Sequence, residues 1–146
     1  MDSGSISMLV ETIISSLRKL ETVKNVSIEK IKKDEMIQAF VLWNLYVSIQ
    51  GCIDLAFKII AKLKLRSPKT YSEAFEILAN NDIISKKVSE KLKNATKFRN
   101  ILAHLYTSID FNIIKRIIME DINDIKLFLK EAESSLKKQQ INIFEL

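Results

Sequence analysis

Two glycines, Gly4 and Gly51, and one proline, Pro68, are all that 146 residues contain of the two residue types that make tight turns. A sheet protein of this length reverses direction repeatedly and draws on both, which leaves helices joined by short polar connections. Apolar residues at 47% and charged residues at 28% supply enough apolar surface for one closed core and too much for a disordered chain. The chain is one ordinary domain's worth, 1–146, and can close its core without disulfides or metals. The expected fold class is all-α, an antiparallel bundle of about five helices.

Cys52 is the only cysteine. It has no intrachain disulfide partner and no companions at metal-ligand spacing, which points to a reducing cytoplasm. The first residues, Met1 to Ser5, lack the basic start and apolar run of a secretory signal. No segment is expected to reach the uninterrupted apolar length of a membrane span. Neither export nor a membrane partner is expected, and no cofactor is called for.

Helical periodicity starts with Leu9, Val10, Ile13, Ile14, Leu17 and Leu20. Ser27 caps a short turn, and Asp34 starts a long helix that runs to about Leu65 before Arg66-Ser67-Pro68 ends it. Apolar residues go most of the way round this helix, from Met36, Phe40 and Trp43 to Ile59, Ile60 and Leu63. A helix apolar on several sides is buried on several sides, here by its own bundle and by a second subunit, so a homodimer is expected. Thr70 and Glu73 have the spacing of a capping box. Its helix closes at Asn80 and Asn81, the next begins near Ser85, and a last long helix runs from Asp110, with 137–146 a fraying tail. Trp43, Tyr46 and Tyr71 are assigned to the core, since aromatics at helical spacing usually belong there.

The net charge of +5 comes from 23 basic and 18 acidic residues, a modest bias towards anionic partners. Its distribution is more telling. Lys86, Lys87, Lys91, Lys93, Lys97 and Arg99 face one acid, Glu90, while Glu120 to Glu133 is acidic. A lysine run alone is usually a solvated helix face. This run leads directly into Arg99-Asn100-Ile101-Leu102-Ala103-His104-Leu105-Tyr106, which holds the chain's only histidine. A histidine among Leu102, Ala103 and Leu105 is by itself more often structural than catalytic. With an arginine to clamp phosphate, an asparagine to orient and a tyrosine nearby, however, the set suffices for RNA cleavage. The ribose 2′-hydroxyl is a built-in nucleophile, so the protein need only take its proton, stabilise charge on phosphorus and protonate the leaving oxygen. On an ideal helix Arg99 and His104 lie about 140° apart and Arg99 and Tyr106 about 20° apart. Three arrangements accommodate this: an irregular helix, an arginine reaching round it, or residues of two protomers meeting in one cleft.

The arginine, four residues, histidine, one residue, tyrosine spacing resembles the signature of HepT-like HEPN toxins. Ile49-Gln50-Gly51-Cys52-Ile53-Asp54-Leu55-Ala56, Thr70 to Leu78 and Ile109-Asp110 extend the likeness across roughly 34–136. Leu105 departs from it, because family members often carry a polar or acidic residue there. The resemblance implies a dimer with two motifs facing a basic cleft, RNA as substrate, metal-independent cleavage, and an MntA-like minimal nucleotidyltransferase as antitoxin. In such pairs AMP is transferred onto the motif tyrosine, here Tyr106. The assignments that go with it are Arg99 for phosphate and transition-state binding, His104 for acid–base chemistry, and Asn100 for orientation. Lys93 and Lys97 are weaker candidates for RNA phosphates. A non-catalytic adaptor subunit of a nucleotidyltransferase complex and a plain helical scaffold are the competing classes.

Overall fold

The computed structural model describes residues 3–104 and 110–139, with side chains over 6–102 and 110–139. The described residues form six helices and no strand: α1 Ser3–Val23, α2 Ile28–Lys33, α3 Glu35–Lys62, α4 Tyr71–Asn80, α5 Lys86–His104 and α6 Phe111–Lys138. The helix beyond the expected five is α2, which stands where a short turn was expected. The Ser27 hydroxyl accepts from the Lys30 N–H and the Asp34 N–H donates to the Lys30 carbonyl, closing α2 at both ends. The Asp34 carboxylate then accepts from the N–H groups of Met36 and Ile37 and opens α3. One aspartate thus ends one helix and starts the next.

Helix α3 packs against all five others. In its second half a broad face is buried through Ile49, Cys52, Ile53, Leu55, Ala56, Ile59 and Ile60, while Gln50, Asp54, Phe57 and Lys58 on the other side are half-buried. Its first half leaves an apolar side open, because Met36 and Trp43 are 84% and 62% exposed and Phe40 lies in line with them. Contrary to expectation, Glu35–Lys62 is long and apolar enough to cross a membrane, but 56% of its most apolar window is buried inside the bundle. The bundle core accounts for that hydropathy.

At Gly51 a side chain of α1 lies directly against the α3 backbone. A Cβ built there would lie 2.6 Å from Cγ1 of Ile13 and 3.2 Å from its Cδ1, and Ile13 is itself fully buried. Gly51→Ala is therefore expected to destabilise the fold by about 1–3 kcal/mol, overpacking outweighing the helix propensity that alanine brings. Chemical denaturation of the two proteins measures this, and an alanine variant as stable as the parent would mean that α1 yields freely.

Helix α3 ends at Lys62, three residues before the expected Leu65. Lys64 turns into the left-handed region at φ 58°, its N–H meets the Ala61 carbonyl and the Leu65 N–H reaches back to Ile60. The same pattern ends α4, with Asp82 at φ 61° and the N–H groups of Asp82 and Ile83 bonded to Ala79 and Leu78. Both are Schellman reversals made without glycine. Thr70 caps α4 by accepting from the Glu73 N–H at 3.0 Å. The glutamate half of the expected box turns instead to the Lys69 N–H and to Arg66. Ser85 caps α5 towards Val88 and is itself held by Glu131 of α6. Helix α6, capped by Asp110, continues through Lys138, so Lys137 and Lys138 are helical rather than frayed. Residues 140–146 of the expected tail lie outside the described residues.

Asp121 is mostly buried, and its Oδ2 has no hydrogen-bond partner among the described residues. Burial, with Asp124 and Glu120 nearby, pushes its carboxyl up to about 7, Lys91 opposing. Burial and this neighbouring carboxylate in turn push the Cys52 thiol upward. A carboxyl whose folded value lies above its unfolded value holds its proton more tightly when folded. Its contribution to stability therefore falls as pH rises from about 4 to about 7 and is level above that. Asp121→Asn is expected to gain about 2 kcal/mol near pH 8 and little near pH 4. Denaturation midpoints at the two pH values test this, and an equal gain at both would contradict it.

Candidate active site

Helix α5 is continuous through His104, so the motif needs no irregular backbone up to that point. Its register splits the candidates between two sides. Lys93, Lys97, Asn100 and His104 fall within about 60° of one another on an ideal helix, and Arg99 lies about 100° from Asn100. The Arg99 guanidinium is turned towards α3 and α4 and held from several directions. Its Nε donates to Oε1 of Gln50 at 2.8 Å, its Nη2 to the Tyr46 hydroxyl at 3.1 Å and its Nη1 to Oδ1 of Asn100 at 3.1 Å. Its Cζ lies 5.1 Å from the ring centre of Tyr46 and 5.8 Å from that of Tyr71. A guanidinium has five N–H donors; with three engaged, one hydrogen remains on each terminal nitrogen, a pair suited to a phosphate or carboxylate.

Gln50 is held in its turn by Asp54, whose Oδ1 accepts from the Gln50 Nε2 at 2.9 Å. Tyr46 stacks against Trp43 with ring centres 6.0 Å apart, and Tyr71 meets Phe57 edge to face at 5.9 Å. These aromatics are not core, contrary to what their helical spacing suggests: Trp43 and Tyr71 are exposed and Tyr46 is half-buried. An open cleft of about 520 Å³ runs between the start of α4 and α5, lined among others by Lys69, Thr70, Tyr71, Thr96 and the motif's Asn100.

Sequence reasoning missed Gln50, Asp54, Tyr46 and Tyr71. A signal for the first two was present, because a glutamine and an aspartate one turn apart stand out in an apolar stretch and pair at that spacing. Lys93 is paired with Glu76 at 2.6 Å and with Glu90 at 3.4 Å. The Glu76 hydrogen bond is the main reason its ammonium titrates above the usual lysine range. Two of its three N–H donors are engaged there, whereas Lys97 is exposed. The His104 side chain and the whole of Leu105 and Tyr106 lie outside the described residues. Among the described residues no group of three or more His, Cys, Asp or Glu side chains is placed to hold a metal ion.

An all-helical bundle with an arginine clasped between its central helix and a helix carrying the Arg99–His104 spacing defines a HEPN-type protein. Its likeness to a solved structure supports this: the tri-AMPylated Shewanella oneidensis HEPN toxin in complex with MNT antitoxin superposes with a TM-score of 0.80 at 26% identity, covering 88% of this chain and 96% of that one. The chain belongs to the ribonuclease HepT-like family, whose model matches residues 13–132. Relatives include the mRNA nuclease HepT of Shewanella oneidensis, 27% identical over 120 residues that cover 82% of this chain and 90% of the relative. The tRNA nuclease HepT of Aphanizomenon flos-aquae is 26% identical over 127 residues, covering 87% and 86%.

Proposed function

We propose that this protein is the ribonuclease toxin of a toxin–antitoxin pair, a metal-independent endoribonuclease of the cytoplasm. The observation that carries the reading is the clasped Arg99, which keeps one N–H on each terminal nitrogen beside the exposed Asn100. Arg99 binds the scissile phosphate and the charge that builds on it. His104 takes the proton of the ribose 2′-hydroxyl as that oxygen attacks phosphorus, and a protonated imidazole supplies the leaving 5′-oxygen, giving a 2′,3′-cyclic phosphate and a 5′-hydroxyl. Asn100 orients Arg99 and the substrate. Lys97 adds a weak phosphate contact, and Lys93 a weaker one. The active form is a homodimer, and the exposed line of Met36, Phe40 and Trp43 on α3 supplies an apolar surface for the second copy.

The antitoxin is an MntA-like minimal nucleotidyltransferase, and it acts by transferring AMP from ATP to the Tyr106 hydroxyl with release of pyrophosphate. The ester would bring a negative charge within reach of Arg99 and obstruct RNA. Support comes from the AMPylated Shewanella toxin bound to its MNT antitoxin. The deciding experiment incubates varied RNAs with purified protein in the presence of a chelator, after intact mass has shown Tyr106 unmodified. Cleavage by the wild type that is lost in His104→Ala supports the ribonuclease. No cleavage by unmodified, dimeric wild type would move the reading to a non-catalytic adaptor.

A further inference from the structure

We propose that Gln50 and Asp54 are positioning residues for Arg99, a two-residue relay that sets which edge of the guanidinium meets the substrate; this rests on Arg99 being the phosphate-binding group. The logic lies in hydrogen-bond polarity. A guanidinium only donates, an ionised carboxylate only accepts, and a glutamine amide has one end of each kind. Asp54 accepts from Nε2 of Gln50 at 2.9 Å, and this turns Oε1 to the Nε of Arg99 at 2.8 Å. A flipped amide would set donor against donor at Arg99 and acceptor against acceptor at Asp54. The carboxylate one turn away therefore selects a single orientation, and with it the rotation of the guanidinium.

Two further features support a positioning role. Gln50 and Asp54 interrupt a stretch of α3 in which Ile49, Gly51, Cys52, Ile53, Leu55 and Ala56 are buried, and a half-buried polar pair is no more stabilising there than apolar side chains of equal size. The pair also commits Nε, so that an anion is met by the terminal nitrogens, while the Tyr46 and Tyr71 rings confine the guanidinium sideways. Asp54 borders a second cleft of about 370 Å³ with Phe57 and Tyr71, so the relay lies open to solvent beside the arginine it orients.

The test compares Gln50→Met, which keeps the volume and loses both hydrogen bonds, with Asp54→Asn, which keeps an acceptor oxygen and loses the charge. Gln50→Leu is a second variant should the first fold poorly. Gln50→Met is expected to lower kcat on RNA about 10- to 100-fold with KM within about twofold, since the misplaced group acts mainly in the transition state. Asp54→Asn, whose amide can donate as well as accept and so no longer selects one orientation of Gln50, is expected to lower kcat by a smaller factor, about threefold to tenfold. In parallel, solvent exchange of the Arg99 Nε–H, followed by NMR, is expected to quicken most in Gln50→Met and by less in Asp54→Asn. Unchanged kcat in a folded Gln50→Met, beside a wild type that cleaves, overturns the relay and leaves the ribonuclease standing. Unchanged Nε–H exchange overturns it as well. A wild type that cleaves no RNA defeats the ribonuclease reading instead, and the exchange rates still decide whether Gln50 holds Arg99.

Discussion

Arg99→Ala is expected to reduce RNA cleavage by about 1000-fold while leaving the fold intact, the scale set by removing a preorganised donor to a developing oxyanion. The guanidinium is anchored by Gln50, Tyr46 and Asn100 before any substrate arrives, so little reorganisation is needed when charge grows on the phosphate. Its partners are half-buried or exposed side chains that water can serve once the arginine is gone, so the change in stability is expected to stay below about 1 kcal/mol. Arg99→Lys keeps the charge but not the fork. Its ammonium donates from a single nitrogen rather than from three in one plane, and it is expected to recover only a small part of the loss. Steady-state cleavage by the three proteins, with circular dichroism as the control for folding, measures these effects. Activity in Arg99→Ala within tenfold of wild type would remove Arg99 from the mechanism.

Phe128→Ala should carry the largest cost in stability, about 3–5 kcal/mol. Phe128 of α6 meets Phe75 of α4 edge to face, with ring centres 5.7 Å apart and planes at 77°, and both side chains are fully buried. Truncation removes the transfer energy of a benzyl group and leaves a cavity between helices that are far apart in sequence and can collapse only partly. Against a total stability of about 5–15 kcal/mol, that is a large fraction of what holds the bundle together. Thermal unfolding followed by calorimetry should show the midpoint falling by about 10–20 °C. A drop of only a few degrees would indicate that α4 and α6 close over the gap.

The sequence made most helix starts legible because their chemistry is local. Ser27, Asp34, Thr70 and Asp110 each carry a side-chain oxygen that accepts from a backbone N–H two or three residues on, and a cap of that kind can be read from a single residue. The end of α3 was harder, since its reversal falls on Lys64, which is no strong stop signal in isolation, whereas Asn80 and Asn81 marked the end of α4. Arg99 and Asn100 were legible through the spacing of their motif. The neighbours that hold Arg99 come from 49 and 53 positions away in the chain, and no periodicity reports a contact of that range. Lys93 shows the converse: it belongs to a basic run in sequence, yet Glu76 from α4 supplies its counter-charge. The exposure of Trp43 and Tyr71 was hidden for a related reason. Helical spacing tells which side chains share a face, but not whether a neighbouring helix covers it.

The two reversals without glycine also bear on the chain before it folds. Alanine-like and longer side chains restrict the backbone of the unfolded ensemble more than glycine does. A chain with only two glycines in 146 residues therefore starts from fewer conformations and has less entropy to lose. The penalty for that restriction is concentrated at Lys64 and Asp82, each held at a left-handed φ that costs a side-chain-bearing residue about 1 kcal/mol. The benefit is spread along the whole backbone. Part of this bundle's stability thus resides in the poverty of its denatured state rather than in any contact of the folded one.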